Sequence, residues 1–261
     1  MIRISLRGHY LLLIIVVFLI SMTLYLNLAY AHIYNKIQGT GLKDIKQSVA
    51  YNFNTTDNRI ASSSPILKYV ALGDSLTYGV GTNNYWESYP YLVARDIADK
   101  NNGQAVTLYN YSWPGDKSSD LITKFLNFSI KEKPSVVTIL IGVNDIHNQV
   151  SASDFKANYV RILSRLKSET KADIYAISIP YIGSDKLILP PYNYYFNYKT
   201  KQFNKIIKDL AAEYKVNYVD LYTPTLSLFK KTGDHYSVDL FHPSASGYAL
   251  WGKIIYDSIN K

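Results

Sequence analysis

The chain has 261 residues, of which 48% are apolar, 14% aromatic and 18% charged, with a formal net charge of +8 and no cysteine. This composition is typical of a globular chain and excludes a wholly disordered or collagen-like polymer. Without cysteine there is no disulfide framework, no thiolate nucleophile and no Cys-ligated zinc or iron–sulfur centre, so any chemistry uses oxygen and nitrogen groups.

The chain begins with a long apolar segment behind two positive charges. Arg3 and Arg7 precede a charge-free run over residues 10–31, and about 20 helical residues suffice to cross the hydrocarbon core of a bilayer. The positive flank predicts a cytoplasmic N-terminus. Residues 29–31 read Ala-Tyr-Ala, which is also typical of a signal-peptidase site. Residues 1–32 are therefore predicted to be a signal peptide or a transmembrane signal anchor, and both alternatives predict an extracytoplasmic protein, secreted or membrane-anchored.

The next segment, residues 33–65, is polar and has neither a helical nor a strand period. It is predicted to be a solvated linker. Residues 1–64 hold six basic and two acidic groups, so half of the net charge lies outside the remaining domain, where the basic residues are scattered. A nucleic-acid partner is not expected, because such proteins concentrate Lys and Arg on one element.

From residue 66 to the C-terminus, short apolar runs alternate with longer amphipathic ones. Runs rich in β-branched residues predict five strands, at 66–72, 106–110, 136–141, 174–179 and 216–221. Helical periodicity predicts helices at 89–100, 118–127, 153–167, 198–214 and 244–259. Repeated strand–helix–strand order predicts an α/β fold with a five-stranded parallel sheet covered on both faces and preceded by the N-terminal hydrophobic helix. Sites in such sheets form at the carboxyl ends of the strands.

Polar residues that could carry chemistry stand at those ends and before the last helix. Ser75 follows the first strand on a tight turn, and Gly115 follows the second, where its backbone N–H would be unobstructed. Asn144 follows the third strand and carries an uncharged donor suited to a developing oxyanion. Asp239 precedes His242 by three residues, a spacing at which a carboxylate can fix the tautomer of an imidazole base. Each is ordinary turn chemistry alone, but together they form the set that acyl transfer needs.

Four segments resemble, in the family's order, the signature blocks of the GDSL, or SGNH, hydrolase superfamily: Gly73-Asp74-Ser75-Leu76, Gly115 five residues beyond Asn110, Gly142-x-Asn144-Asp145, and Asp239-x-x-His242. The resemblance covers about residues 66–261, which are predicted to be one SGNH hydrolase domain. It implies a three-layer α/β/α sandwich of the flavodoxin-like type. Family members are mostly lipases and esterases, including carbohydrate O-acetylesterases.

The resemblance also implies a role for each matching residue. Ser75 is the expected nucleophile, His242 the base and Asp239 the residue that orients it. The expected oxyanion hole consists of the Ser75 N–H, the Gly115 N–H and the Asn144 side chain. The chain departs from the family at residues 113–114, Trp-Pro in place of smaller residues, which predicts a narrower pocket.

The sequence thus predicts an exported serine hydrolase, a GDSL lipase or esterase, that cleaves carboxylic esters of a small molecule, lipid or glycan through a Ser-His-Asp triad and an acyl-enzyme. One alternative is a cell-wall or polysaccharide O-acetylesterase, which the Tyr-rich segment 181–198 would suit as a loop lining the acyl pocket or stacking on a sugar. The other interpretation of this segment is that it packs on the domain's own core. Another is a non-catalytic, membrane-tethered binding module. No cofactor or metal is expected, and His147 is interpreted as an ordinary polar residue because no metal-ligand spacing surrounds it.

Overall fold

The computed structural model describes residues 6–38, 50–53, 66–100, 105–181, 183–232 and 234–260. The predicted hydrophobic helix is present as α1, Leu6–Gln38, and it continues six residues beyond the boundary expected at residue 32. Most of the predicted linker lies outside the described residues. One part of it, Ala50–Phe53, is a short strand, β1, which a polar segment without periodicity did not predict.

The central sheet has five parallel strands and one antiparallel edge strand. The parallel strands are β2 (Leu67–Gly73), β3 (Val106–Ser112), β4 (Val136–Leu140), β5 (Asp173–Ile177) and β6 (Asn217–Val219). They lie in the order β3-β2-β4-β5-β6, and β1 pairs antiparallel with β3 at the edge. The predicted five-stranded parallel sheet is confirmed. Its order is that of flavodoxin-like folds, in which the connections change direction between the first and third parallel strands.

The register of β2 and β4 determines where their loops meet. Gly73 pairs with Leu140 at the last position of both strands, so the segments that follow them start side by side. Every residue of β4 is buried, as expected of a strand covered on both faces. Ser75 and Asn144, which follow these two strands, therefore lie near each other at the carboxyl ends of the parallel strands.

Helices cover both faces of the sheet. They are α2 (Ser75–Tyr78), α3 (Tyr89–Lys100), α4 (Ser118–Lys124), α5 (Leu126–Lys131), α6 (Val143–His147), α7 (Ala152–Glu169), α8 (Tyr192–Glu213), α9 (Tyr222–Thr232) and α10 (Ala245–Ile259), with a single 3₁₀ turn at Tyr85–Glu87. In one layer α3 packs against α10, and in the other α7 packs against α4, α5 and α8. The predicted three-layer α/β/α arrangement is confirmed.

The helices differ from the sequence prediction in five places: three were not predicted, one predicted helix is divided in two, and one helix starts earlier than predicted. The four-residue α2 and five-residue α6 are too short to show a helical period, and α9 was not predicted. The predicted helix at 118–127 is divided into α4 and α5. α8 begins directly after Pro191, because a proline at a helix start lacks only an N–H that has no intrahelical acceptor. The segment 181–198 is therefore a loop only as far as residue 191, which corrects the prediction of a continuous loop.

Candidate active site

Ser75 is held at the carboxyl end of β2 as the first residue of α2. The side chain of Asp74 caps this helix and accepts a hydrogen bond from the Leu76 N–H at 3.0 Å. A side chain at Gly73 is excluded, because an added Cβ would lie 2.5 Å from the Leu140 carbonyl oxygen. This tight turn from strand to helix places the serine hydroxyl at the carboxyl ends of the parallel strands.

Three side chains form a continuous hydrogen-bonded chain. The Ser75 Oγ lies 3.0 Å from His242 Nε2, and His242 Nδ1 lies 2.7 Å from Asp239 Oδ2. The other carboxylate oxygen, Asp239 Oδ1, accepts from Ser237 Oγ at 2.6 Å and from the backbone N–H groups of Phe241 and His242 at 2.9 Å each. With the Nδ1 proton directed to a carboxylate, Nε2 is left as the acceptor for the serine proton.

The carboxylate of this chain stays ionised. Burial alone would raise the pKa of Asp239, but the hydrogen bond and charge of His242, with the donors Ser237 and Phe241, together hold it well below its usual range. The turn that brings Asp239 and His242 together places Leu240 at a φ of 60°, a left-handed conformation that is uncommon for a side chain of this size. The backbone at Leu240 is therefore strained, and the hydrogen bonds between Asp239 and His242 hold it in this conformation.

The three expected oxyanion donors lie around the same cavity as the serine hydroxyl. Ser75 begins α2, so its N–H has no acceptor within the helix. Gly115 has a φ of 87°, and an added Cβ there would meet no atom within 4 Å, so open space surrounds this backbone. The Asn144 Nδ2 donates to the Asp116 carbonyl at 3.0 Å, which orients the amide and leaves its second hydrogen for another acceptor.

Supporting residues around the serine were not predicted. Asn110 Nδ2 donates to the Thr77 carbonyl at 3.0 Å, and Ser112 Oγ donates to Asn110 Oδ1 at 2.6 Å, so the end of β3 fixes the backbone of α2. Both residues are buried. The available signal was the occurrence of two polar residues, Asn110 and Ser112, at the carboxyl end of a strand whose other residues, apart from Thr107, are apolar or aromatic.

Beside Ser75 lies a cavity of about 950 Å³. It is bordered by three of the predicted site residues, Gly115, Asn144 and His242. The rest of its lining consists of four residues of α1 and of Val80, Pro114, Asn148, Gln149, Pro191, Tyr192, Tyr195, Phe196 and Phe241. The aromatic segment expected to line a pocket thus does so through the start of α8, whereas Leu187 and Ile188 pack into the core. Of the two residues that depart from the family's pattern, Trp113 and Pro114, Pro114 borders the cavity.

His147 also lines this cavity, against its interpretation as an ordinary polar residue. Its ring stacks on Phe196 with centroids 4.6 Å apart and meets Phe241 edge-on at 5.4 Å. Burial, with a contribution from nearby His242, lowers the pKa of His147 to about 4, so the ring is neutral at pH 7. Within the described residues its Nε2 has no hydrogen-bond partner. The missed signal was its position three residues after Asn144, on the same face of α6.

The fold and the site together define a class of protein. It is a flavodoxin-like α/β domain in which Ser75, His242 and Asp239 are joined by hydrogen bonds at the carboxyl ends of the parallel strands. The sequence profile of the GDSL-like lipase/acylhydrolase family matches residues 71–250, and the chain belongs to this family. The resemblance read from the four sequence segments is confirmed.

Relatives and solved structures agree with this assignment. A multidomain esterase of Ruminococcus flavefaciens is 24% identical in an alignment of 233 positions, which covers 77% of this chain and 29% of that protein. The chain thus spans less than a third of that relative. The lipase/acylhydrolase structure from Enterococcus faecalis is 27% identical with a TM-score of 0.62, covering 74% of this chain and 95% of that one. Axe2, an acetylxylan esterase from Geobacillus stearothermophilus, shares the fold at 19% identity and a TM-score of 0.61, over 75% and 94% of the two chains.

Proposed function

We propose that this protein is a serine hydrolase that cleaves carboxylic esters, with Ser75 as nucleophile, His242 as general base and Asp239 as the carboxylate that orients it. The observation that carries the proposal is the unbroken hydrogen-bond chain, 3.0 Å from Ser75 Oγ to His242 Nε2 and 2.7 Å from His242 Nδ1 to Asp239 Oδ2. The family assignment supports hydrolase chemistry independently of this geometry.

The reaction would proceed through an acyl-enzyme. Ser75 Oγ attacks the ester carbonyl carbon while His242 takes its proton, and the carbonyl oxygen becomes an oxyanion facing the donors of Ser75, Gly115 and Asn144. His242 then protonates the departing alcohol as the C–O bond breaks. Water, deprotonated by the same imidazole, attacks the acyl group and releases the acid.

We infer that the active site faces the outside of the cell and that α1 attaches it to the membrane. Among the described residues, His9–Lys36 is the single helix long and apolar enough to span a bilayer, and its most apolar window has no side chain buried in the protein. Such a surface is stable in lipid rather than in water. The positive residues Arg3 and Arg7 would keep the N-terminus in the cytoplasm.

The alternative of a glycan O-acetylesterase is favoured by the aromatic side chains around the cavity. Tyr192, Tyr195 and Phe196 border it, and their rings offer flat apolar faces on which a sugar ring can stack. The two functions differ in acyl length: an O-acetylesterase would lose activity beyond short acyl groups, whereas a lipase or general esterase would retain it.

The test is ester hydrolysis by the full chain in lipid nanodiscs, with chromogenic esters of increasing acyl length. Ser75→Ala should lower kcat on the order of 10⁶-fold. Ser168→Ala, at an exposed serine of α7, is the matched control and should leave the rate unchanged. Wild-type rates in Ser75→Ala would refute the proposal, and the absence of turnover in the wild type would favour a binding module.

A further inference from the structure

The last turns of α1 form part of the ester-binding cavity. Four side chains of this helix line the cavity that contains Ser75: Leu26, Tyr30, Ile33 and Tyr34. Their spacing of four, three and one residues places them along one face of the helix. The helix that we propose to span the membrane therefore also contributes side chains to the proposed active site.

Specific contacts hold this end of α1 against the catalytic domain. The Tyr25 hydroxyl donates to the Pro190 carbonyl at 2.8 Å, and the Tyr192 hydroxyl donates to the Leu26 carbonyl at 3.4 Å. Ala29 and Ile33 are buried, with 5% and 6% of their surface exposed. Both hydrogen bonds join α1 to the loop and first turn of α8, the same region that supplies the aromatic lining of the cavity.

The opposite face of α1 is exposed beside the buried positions. Leu24 and Leu28, on either side of Leu26, expose 58% and 61% of their surface. Within residues 26–34, Ala29 and Ile33 are covered by protein and Leu26 is half-buried, whereas Tyr30 and Tyr34 border the cavity with more than half of their surface exposed. The preceding turns, residues 9–25, are exposed throughout. A signal peptide cleaved after residue 31 would remove Leu26 and Tyr30 from the cavity lining.

Helix length places the cavity near the outer surface of a bilayer. The charge-free run 10–31 measures about 33 Å as a helix at 1.5 Å per residue, close to the roughly 30 Å of a hydrocarbon core. Its C-terminal end then lies at the outer boundary, with Ile33 just beyond it and Leu26 about 8 Å inside the hydrocarbon core at 1.5 Å per residue. The cavity that both residues line is therefore at the outer boundary of the bilayer. Exposed tyrosines at this end of α1 and on α8, including Tyr194 and Tyr198 at 70% and 65%, are the residues that favour a membrane–water interface.

The cavity itself suits an uncharged chain. Among the described residues that line it there is no Asp, Glu, Lys or Arg. Apolar groups such as Leu26, Ile33, Phe196 and Phe241 face a space of about 950 Å³, within the range of pockets that enclose small organic ligands.

We propose that α1 is retained in the mature enzyme and that its outer end is the acyl-binding wall of the active site, so that the substrate is an acyl ester of an amphiphile drawn from the outer leaflet. This inference rests on the proposed function. The acyl chain would lie against Leu26 and Ile33 with its carbonyl carbon at Ser75, while the alcohol moiety stays at the membrane surface.

Docking of the helix is tested without catalysis. The chain has no cysteine, so Leu26→Cys combined with Tyr192→Cys in the full chain, in nanodiscs, reports on one contact. A short bismaleimide should join this pair within one molecule, as detected by mass spectrometry of the linked peptides. The control pair, Leu28→Cys with Tyr192→Cys, places one thiol on the other side of the helix and should not react. No link in the first pair, or equal links in both, would overturn the proposal.

The role in acyl binding is tested by kinetics on two substrates. In Leu26→Ala/Ile33→Ala, kcat/KM for a palmitoyl ester presented in phosphatidylcholine vesicles should fall roughly ten-fold or more, with little change for a soluble acetyl ester. The matched control Leu24→Ala/Ile20→Ala, on lipid-exposed positions, should behave as wild type on both. Equal losses on both esters, or no loss on the palmitoyl ester, would contradict the acyl wall.

Two further readouts separate this inference from the proposed function. The intact mass of membrane-bound protein should include residues 26–34, and a protein beginning after residue 31 would contradict retention. If the wild type hydrolyses neither ester although the Leu26–Tyr192 pair links, the proposed function fails and the docking of α1 stands. If it hydrolyses both but the pair does not link, the acyl wall fails and the proposed function stands.

Discussion

Asp145 accepts two hydrogen bonds from Ser118, one from the backbone N–H at 2.9 Å and one from the hydroxyl at 2.5 Å. Both residues are fully buried. The contact joins the start of α4, just after Gly115, to α6, which carries Asn144. The two proposed oxyanion donors, Gly115 and Asn144, follow different strands, and this contact holds the segments that carry them together.

Ser118→Ala tests this link. It removes one of the two donors to a buried carboxylate, so we expect a loss of roughly 1–3 kcal/mol in the free energy of unfolding and a fall in kcat larger than the change in KM. Urea unfolding and steady-state kinetics measure the two effects. The neighbouring exposed residue provides the control, Ser119→Ala, and equal behaviour of both variants would show that the link does not matter.

Asn144→Ala removes an amide that we place at the oxyanion. The expected result is a fall in kcat of about 10² to 10³ with little change in KM, because the hydrogen bond is strongest when charge develops on the carbonyl oxygen. Asn260→Ala, at the exposed end of α10, is the control. A change confined to KM would assign Asn144 to substrate binding instead.

Asp239→Asn should lower kcat by about 10⁴, less than His242→Ala at about 10⁶. The reason is that an amide can retain some of the hydrogen bonds of Asp239 but cannot stabilise the imidazolium that forms during catalysis. Asp257→Asn, on the exposed surface of α10, serves as the control. Rates for Asp239→Asn within ten-fold of wild type would exclude the carboxylate from the mechanism.

Asp74 makes stability depend on pH. Burial, opposed by the Leu76 N–H and reinforced by the charges of Asp145 and Asp116, raises the pKa of Asp74 to about 7. Since the folded state binds the proton more tightly than the unfolded state, this contribution to stability is complete below about pH 4 and is lost as the pH rises through 7. The carboxyl oxygen Oδ2 has no hydrogen-bond partner among the described residues.

The measurement is the difference in unfolding free energy between wild type and Asp74→Asn, from pH 4 to pH 8. Wild type should lose up to about 4 kcal/mol relative to the variant over this interval, at about 1.36 kcal/mol per pKa unit. Asp209→Asn, on the exposed surface of α8, should follow wild type at every pH. Parallel curves for wild type and Asp74→Asn would contradict the raised pKa.

The parallel sheet and the positions of Ser75, Asn144 and His242 could be predicted because they depend on local pattern and on topology. Apolar β-branched runs specify buried strands, and strand ends in such a sheet converge whatever the details of the loops. The convergence of Ser75 with His242 across 167 residues follows from that rule together with the family's motif order.

Other features depend on contacts between distant segments. The edge strand β1 is formed by pairing with β3, and its polar sequence carries no strand period. The contact of Leu26 with Tyr192 spans 166 residues, and a charge-free helix carries no mark of which face would be covered by protein. The position of His147 in the cavity lining likewise depends on the packing of α6 against α8, which the local sequence does not specify.

An activated Ser75 should react with a fluorophosphonate, so covalent trapping is the most direct test of its role as nucleophile. The full chain in nanodiscs is treated with a fluorophosphonate, digested and sequenced by mass spectrometry, beside His242→Ala and Ser168→Ala. We expect a single stoichiometric adduct on Ser75 in wild type and Ser168→Ala, and almost none in His242→Ala. No adduct on Ser75, or equal labelling of wild type and His242→Ala, would contradict it.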